Sequence, residues 1–341
     1  MRATILPIAV AVVLFLASSP ARPQAPSPSV RVYASVLSSG KFIVGAPNAG
    51  TGVFYQSPQD DTVWTHTGPE RIRANACAVD PRSRGSTLYI ASGNGVIRTT
   101  DGGSSWRLLT DWRVTEVLGI SLDPHDRRGI VIATAHGLFR SADGGENWVH
   151  ADSGRTFPFF TQAVMHDPEK PGVLLCAAED GLYESVDGAV SWNRTNCPAR
   201  RIRALARHPL RPDIIAAGTE DDGLFLSTDR GTSWRQCAIA PDCRTVYAVA
   251  FAPGTEQTLY VGGFESGVYA STDLGRTWES RSDGLTVRTV HALMPMPDQP
   301  RHLYAGTIWG GVFRSRDAGR SWEYAGLMDS QVVSFTVVVS P

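Results

Sequence analysis

The sequence predicts an all-β chain: seven four-stranded antiparallel blades packed radially as a β-propeller. Three observations carry this. The motif Ser/Thr-x-Asp-x-Gly/Ala-x-Ser/Thr/Asn-Trp occurs six times, at 99–106, 141–148, 185–192, 227–234, 271–278 and 315–322, and a worn copy runs from Ser57 through Asp61 to Trp64. The closing tryptophans, Trp64, Trp106, Trp148, Trp192, Trp234, Trp278 and Trp322, follow at intervals of 42 or 44 residues. Between motifs, apolar residues alternate with a period of two, and no stretch has helical periodicity. A four-stranded unit of this length has two apolar faces and buries both only between neighbours, which makes the period a blade of a closed ring.

The chain opens on a different object. Arg2 gives a basic start, residues 5–17 are apolar, and Ala17-Ser18-Ser19-Pro20-Ala21 follows. This is the pattern of a secretory signal peptide, expected over residues 1–25 with the cut after Ala21 or Ala25. The expected location is therefore secreted or periplasmic, with no stable span in the mature chain. Residues 26–30 are expected as a disordered linker, and residues 31–341 as the propeller. At about 43 residues per unit, the repeats leave no room for a second domain.

Residues 114–153 show the unit. A strand over 114–122 is followed by the turn Asp123-Pro124-His125-Asp126. A short apolar strand covers 129–135, His136-Gly137 turns the chain, and 138–141 leads into the motif. Trp148 opens the fourth strand. The other units repeat the order: 202–207, 214–218 and 224–226; 246–251, 259–262 and 268–270; 290–294 and 303–306. The first unit has clear strands at 42–45, 53–56 and 64–66. The segment 332–339 is one strand too many for the last unit and is expected to close the ring in the first. Residues 31–37 compete for that innermost place, and the sequence leaves the two arrangements open.

The motif has a local physical meaning. Asp143 accepts backbone N–H groups in a turn, Ser141 adds a side-chain bond, and Gly144 and Gly145 permit positive φ. Trp148 covers the hairpin. Asp101, Asp143, Asp187, Asp229, Asp273 and Asp317 are thus structural, since turns spread around a ring cannot converge on one substrate.

Net charge is −1, so no global field recruits nucleic acid. Lys41 and Lys170 are the only lysines, and the basic charge is almost all arginine. Cys237 and Cys243 bracket Pro241 and are expected to form a disulfide. Cys77 and Cys176 lie in apolar runs, and Cys197 in a loop. No CxxC pair or His/Cys spacing suggests zinc, and no nucleotide, metal or hydrolase motif suggests a cofactor or metal site.

If the motif turn joins strands three and four, a site belongs on the opposite rim. Arg71 and Arg73 flank Ile72 there, and Arg201 and Arg203 flank Ile202, so alternation places each pair on one side. Arg113, Arg244 and Arg288 hold similar places. Together these arginines are expected to ring the channel mouth and bind carboxylates or an acidic partner, or to pair with rim carboxylates. Trp112, Phe157, Phe159, Phe160, Phe264 and Trp309 offer a protein- or glycan-binding surface. Glu116, Glu179, Asp180, Glu220, Asp222 and Glu265 are candidate carboxylates for glycoside hydrolysis, with no pair fixed by spacing.

These repeats resemble the bacterial neuraminidase, or Asp-box, repeat, with Asp61 as the degenerate copy and Gly188-Ala189 departing at the second glycine. The resemblance covers nearly the whole mature chain and implies that the box is structural. Sialidases of this kind use an arginine triad, a Tyr/Glu nucleophile pair and an Asp acid/base, of which only an arginine cluster can be placed here. One compact seven-unit ring with rim arginines looks more like exported bacterial relatives of the photosystem II assembly factor group. The expectation is a non-catalytic protein-binding or assembly scaffold; the alternative is a sialidase-type glycoside hydrolase using rim carboxylates and arginines.

Overall fold

The computed structural model describes residues 29–40, 50–57, 60–152 and 160–340. The expected signal peptide, the strand expected at 42–45, and Phe157 and Phe159 lie outside the described residues. The described chain forms seven four-stranded antiparallel sheets. From inside outwards, blade 2 is Ala74–Val79, Leu88–Ser92, Gly95–Thr99 and Arg107–Leu108, and blades 3 to 7 repeat that order through Glu323–Tyr324. The innermost strands touch in cyclic order around the ring. Second and third strands are almost wholly buried, while outermost strands are two to four residues long and mostly exposed. Such short edges offer little template for pairing with another chain.

Blade 1 settles the question of closure. Its innermost strand is the C-terminal Ser330–Ser340, followed by Ser29–Ser39, Gly52–Gln56 and Trp64–Thr67. The N-terminal strand is therefore neither innermost nor peripheral but second. It starts at Ser29, inside the segment expected as linker, because Ser29 and Val30 pair with Ser340 and Val339.

Seven apolar clusters form the core, one at each blade interface. Close approach sets their composition. A Cβ on Gly218, Gly262 or Gly306 would lie 2.6–2.7 Å from Cγ1 of Val246, Val290 or Val332, each of them in the next blade's innermost strand. Glycine there lets successive sheets pack near the crowded axis.

The motif turns are as the sequence predicts, and both central residues lie in the left-handed region, as at Gly144 and Gly145. Asp143 Oδ1 accepts from Ser141 Oγ at 2.8 Å and from the Asn147 N–H at 2.9 Å; its Oδ2 accepts from Asn147 Nδ2 at 2.7 Å. The same bonds recur at Asp101, Asp187, Asp229, Asp273 and Asp317. These donors, led by the Asn147 side chain, pull Asp143 down to about 2, and Ser191 does the same for Asp187.

The tryptophans divide into three classes. Trp64, Trp192 and Trp322 reach across an interface and donate to the carbonyls of Ala325, Ala151 and Arg281 at 2.7–2.8 Å. Trp106 and Trp234 fold back onto Gly103 and Gly231 of their own turns, at 3.0 Å. The Nε1 atoms of Trp148 and Trp278 are buried without a partner among the described residues. The three that cross bond the residue three places after the preceding blade's tryptophan. Where it is Thr67, Leu109 or Cys237, its side chain comes within 2.9 Å of where a Cβ on the facing turn glycine would stand. Where it is Ala151, space remains for the fully buried Trp192 and for Ala189, which explains why that turn tolerates alanine. Arg281 is compatible because its guanidinium turns away to Glu279 and the Ala318 carbonyl.

The expected disulfide is not formed. Cys237 and Cys243 are free thiols. Both pack as apolar groups in the cluster between blades 5 and 6. Cys237 ends an outermost strand with its sulfur accepting from Arg235 Nη1 at 3.3 Å, and burial pushes both thiols up.

Two measurements check this packing. Ala151→Leu fills the space that Trp192 occupies and orphans its N–H, so the urea midpoint should fall by the equivalent of about 2 kcal/mol or more; Thr195→Leu, where Trp234 already folds back, should cost less. The motif carboxylates are held below their ordinary range, so they stabilise the fold above about pH 4 and lose that contribution as pH falls from about 4 to about 2. The stability gap between wild type and Asp143→Asn should stay constant from pH 7 to about 4 and close below it.

Candidate functional site

The motif turns and the loops joining first to second strands share one rim. The loops joining second to third strands, and those joining blades, share the other. The innermost strands begin at this second rim, and there the chain breaks its regular pleat. In blades 2 to 7 the register between the first two strands slips by one residue, leaving Asn75, Leu118, Gln162, Arg203, Tyr247 and His291 as bulges. Blade 1 slips twice, around Val333 and Leu37. Each of these eight residues lines a central cavity of about 530 Å³. A bulged residue is left out of the ladder and its side chain is re-aimed; repeated around the ring, this builds a binding-sized chamber at the channel mouth.

The chamber wall is polar on one side. Arg203 Nε donates to Glu220 Oε2 at 3.1 Å, and a second guanidinium nitrogen completes the ion pair. The Arg203 guanidinium also lies over the Phe160 ring, 5.8 Å from its centre. The Tyr247 and His291 rings stand 4.3 Å apart. Burial holds His291 neutral, pushed down to about 4, and burial followed by the Glu220 charge pushes Tyr247 up. His291 Nε2 and Ser334 Oγ are buried with no hydrogen-bond partner among the described residues. Asn75 donates to the Val117 carbonyl across the blade interface at 2.7 Å.

Of the sequence-predicted arginines, only Arg203 reaches the chamber, so the expected ring of arginines at the channel mouth is not there. Arg71, Arg73, Arg113, Arg201, Arg244 and Arg288 are exposed on the outer loops of the same rim. Ile72 is buried between two exposed arginines, though Arg71 is left-handed at φ 62° and the strand begins only at Ala74. Around Ile202 alternation fails, since Arg201 is left-handed at φ 47° and Arg203 is a bulge. The rim arginines interleave with acids: Arg113 pairs with Asp111 at 2.6 Å and Arg201 with Asp221 at 2.8 Å, while Arg244 donates to the Asp221 carbonyl and Arg288 to the Ser266 carbonyl. This mixed surface has no strong preference for an acidic partner.

The candidate carboxylates do not converge. Glu116, Glu179, Asp222 and Glu265 are exposed on separate loops, and Asp180 accepts from the Tyr183 hydroxyl at 2.5 Å. Among the described residues Glu220 alone of the acids lines the chamber, and no cluster of three metal-ligating side chains occurs among them. No helix among them is long and apolar enough to cross a membrane.

The aromatic expectation fares better. Trp112 is 84% exposed, Phe264 48% and Trp309 50%, all on this rim, and Met328 joins them at 54%. Phe264, Trp309 and Met328 belong to successive loops of blades 6 and 7 and the crossing into blade 1. Glu265 and Trp309 are left-handed at φ 52° and 64°, a conformation rare for side chains of this size. The Gly310 backbone packs on Val287, which sets Trp309 beside the loop that carries Arg288.

No family model matches the chain, and no curated protein matches its sequence. Among solved structures it is similar to the GH74 xyloglucanase from Xanthomonas campestris, at 19% identity and a TM-score of 0.67, covering 85% of this chain and 52% of that one. It is also similar to YCF48 bound to D1 peptide (15%, TM-score 0.57, 73% and 82% covered) and to YCF48 from Cyanidioschyzon merolae (14%, TM-score 0.58, 75% and 86% covered). The chain thus spans about half the length of the xyloglucanase. At these identities the likeness establishes the seven-bladed fold, structurally related to both groups, and nothing of the chemistry.

Proposed function

We propose that this chain is an exported Asp-box propeller that acts as a non-catalytic protein-binding or assembly scaffold. The observation that carries the proposal is the sector of Phe264, Trp309 and Met328 beside Arg288 on the rim opposite the motif turns. Aromatic residues, methionine and arginine are the side chains enriched at interface centres, and interleaved ion pairs make a polar margin around them. Left-handed backbone at Trp309 costs stability with no packing return for the exposed indole, a pattern found at binding sites. The YCF48 that binds a D1 peptide has the same single-ring architecture, which agrees with a peptide-binding use of such a ring. A glycoside hydrolase needs two carboxylates facing one sugar at about 5–10 Å, and Glu220 faces the chamber engaged by Arg203. The apolar leader read over residues 1–25 supports a periplasmic or extracellular scaffold.

The test uses photo-crosslinkers placed singly at Phe264, Trp309 and Met328, with Val186 on the opposite rim as control. The proposal expects an adduct of one defined mass from the first three and none from Val186, and Trp309→Ala should weaken capture of that partner at least about tenfold. Adducts from both rims alike, or from neither, would contradict it. Turnover in a glycan screen abolished by Glu220→Gln would favour the hydrolase.

A further inference from the structure

The bulge-lined chamber at the channel mouth belongs to none of the roles assigned above, and its chemistry is specific. We propose that it is a binding site for a small neutral polyhydroxylated ligand, one or two sugar rings in size. The volume of about 530 Å³ lies within the range of small-molecule sites. The only cation in its wall among the described residues, Arg203, is already paired with Glu220, so an anion or a cation finds no uncompensated charge there. An apolar ligand would cover the Gln162 and Gln331 amides and the Glu220 carboxylate without hydrogen-bonding them, at a cost for each. A hydroxyl group both donates and accepts. It therefore suits a wall in which the Gln162 and Gln331 amides carry both functions, with the Glu220 carboxylate and Tyr247 beside them. The Tyr247 ring, backed by His291 at 47° to it, supplies an aromatic surface for the C–H side of a sugar ring. His291 remains neutral well below pH 7, so the site keeps this character at physiological pH.

The site stands apart from the outer rim patch, so the two proposals fail separately. Saturation-transfer NMR and calorimetry on the full chain would use glucose, cellobiose and N-acetylglucosamine as neutral probes. N-acetylneuraminic acid serves as the anionic probe and a Gly-Ser tetrapeptide as the non-sugar control. Binding of at least one neutral sugar is expected, with ring C–H protons receiving most saturation. Tyr247→Ala should weaken it tenfold or more, while Trp309→Ala leaves it unchanged. Gln162→Ala, on the opposite wall, should also weaken it and decides the matter should Tyr247→Ala fail to fold. Absence of binding by every neutral sugar, tighter binding of the anion or the peptide, or affinity indifferent to Gln162→Ala would each overturn the proposal.

Discussion

One strand pair holds the ring shut. Ser29–Ser39 and Ser330–Ser340 run antiparallel over their full length, joining the two ends of the described chain inside one blade. The other blades are each continuous in sequence and form by local hairpins. Blade 1 forms only when segments about 300 residues apart find each other. Without that pairing the ring has two raw faces, and two of the seven interface clusters lose members: Val338 from the one shared with blade 2, Val332 from the one shared with blade 7. The C-terminal strand also brings Gln331, Val333 and Ser334 to the chamber. Closure therefore builds the site as well as the fold.

A second constraint acts within each blade. Seven strands converging on one axis leave little room, and the sequence answers with small residues after each bulge, at Ala76, Gly119, Ala163, Ala204, Ala248 and Ala292. The bulges relieve the crowding and turn one side chain per blade toward the axis. A structural necessity of the ring so becomes a set of variable positions around a common cavity, and the residue types there are free to specify a ligand.

The architecture was legible in the sequence because it repeats. Motif spacing gave the blade count, and Asp143 with its neighbours behaves in three dimensions as local chemistry demands. The mode of closure was only half legible: 332–339 was expected as a closing strand, but nothing local distinguishes a second strand from an outer one at Ser29–Ser39. The chamber was mostly missed. Regular alternation does not foresee the bulge at the second residue of the innermost strands of blades 2 to 7, which brings Asn75, Gln162, Tyr247 and His291 to the chamber. The available signal was their common offset, one residue after the first buried position of each innermost strand. Pairing of the rim arginines with Glu116, Glu220 or Asp222 is one of the two readings that the sequence leaves open; Arg203 does pair with Glu220, but within its own blade, and Arg201 with Asp221, because a hairpin loop folds back there. The disulfide expectation failed because nearness in sequence says nothing of the separate packing that Cys237 and Cys243 find in one apolar cluster.

Rim patch and chamber share one end of the ring, opposite the rigid motif turns, and both depend on the terminal strands staying paired. Native-state hydrogen exchange measures that directly. If closure is the keystone, amides of Ser29–Ser39 and Ser330–Ser340 exchange only through global unfolding, with the same protection as Leu259–Gly263 in the continuous blade 6. Rapid exchange confined to the two terminal strands, with the rest of the ring still protected, would contradict the account.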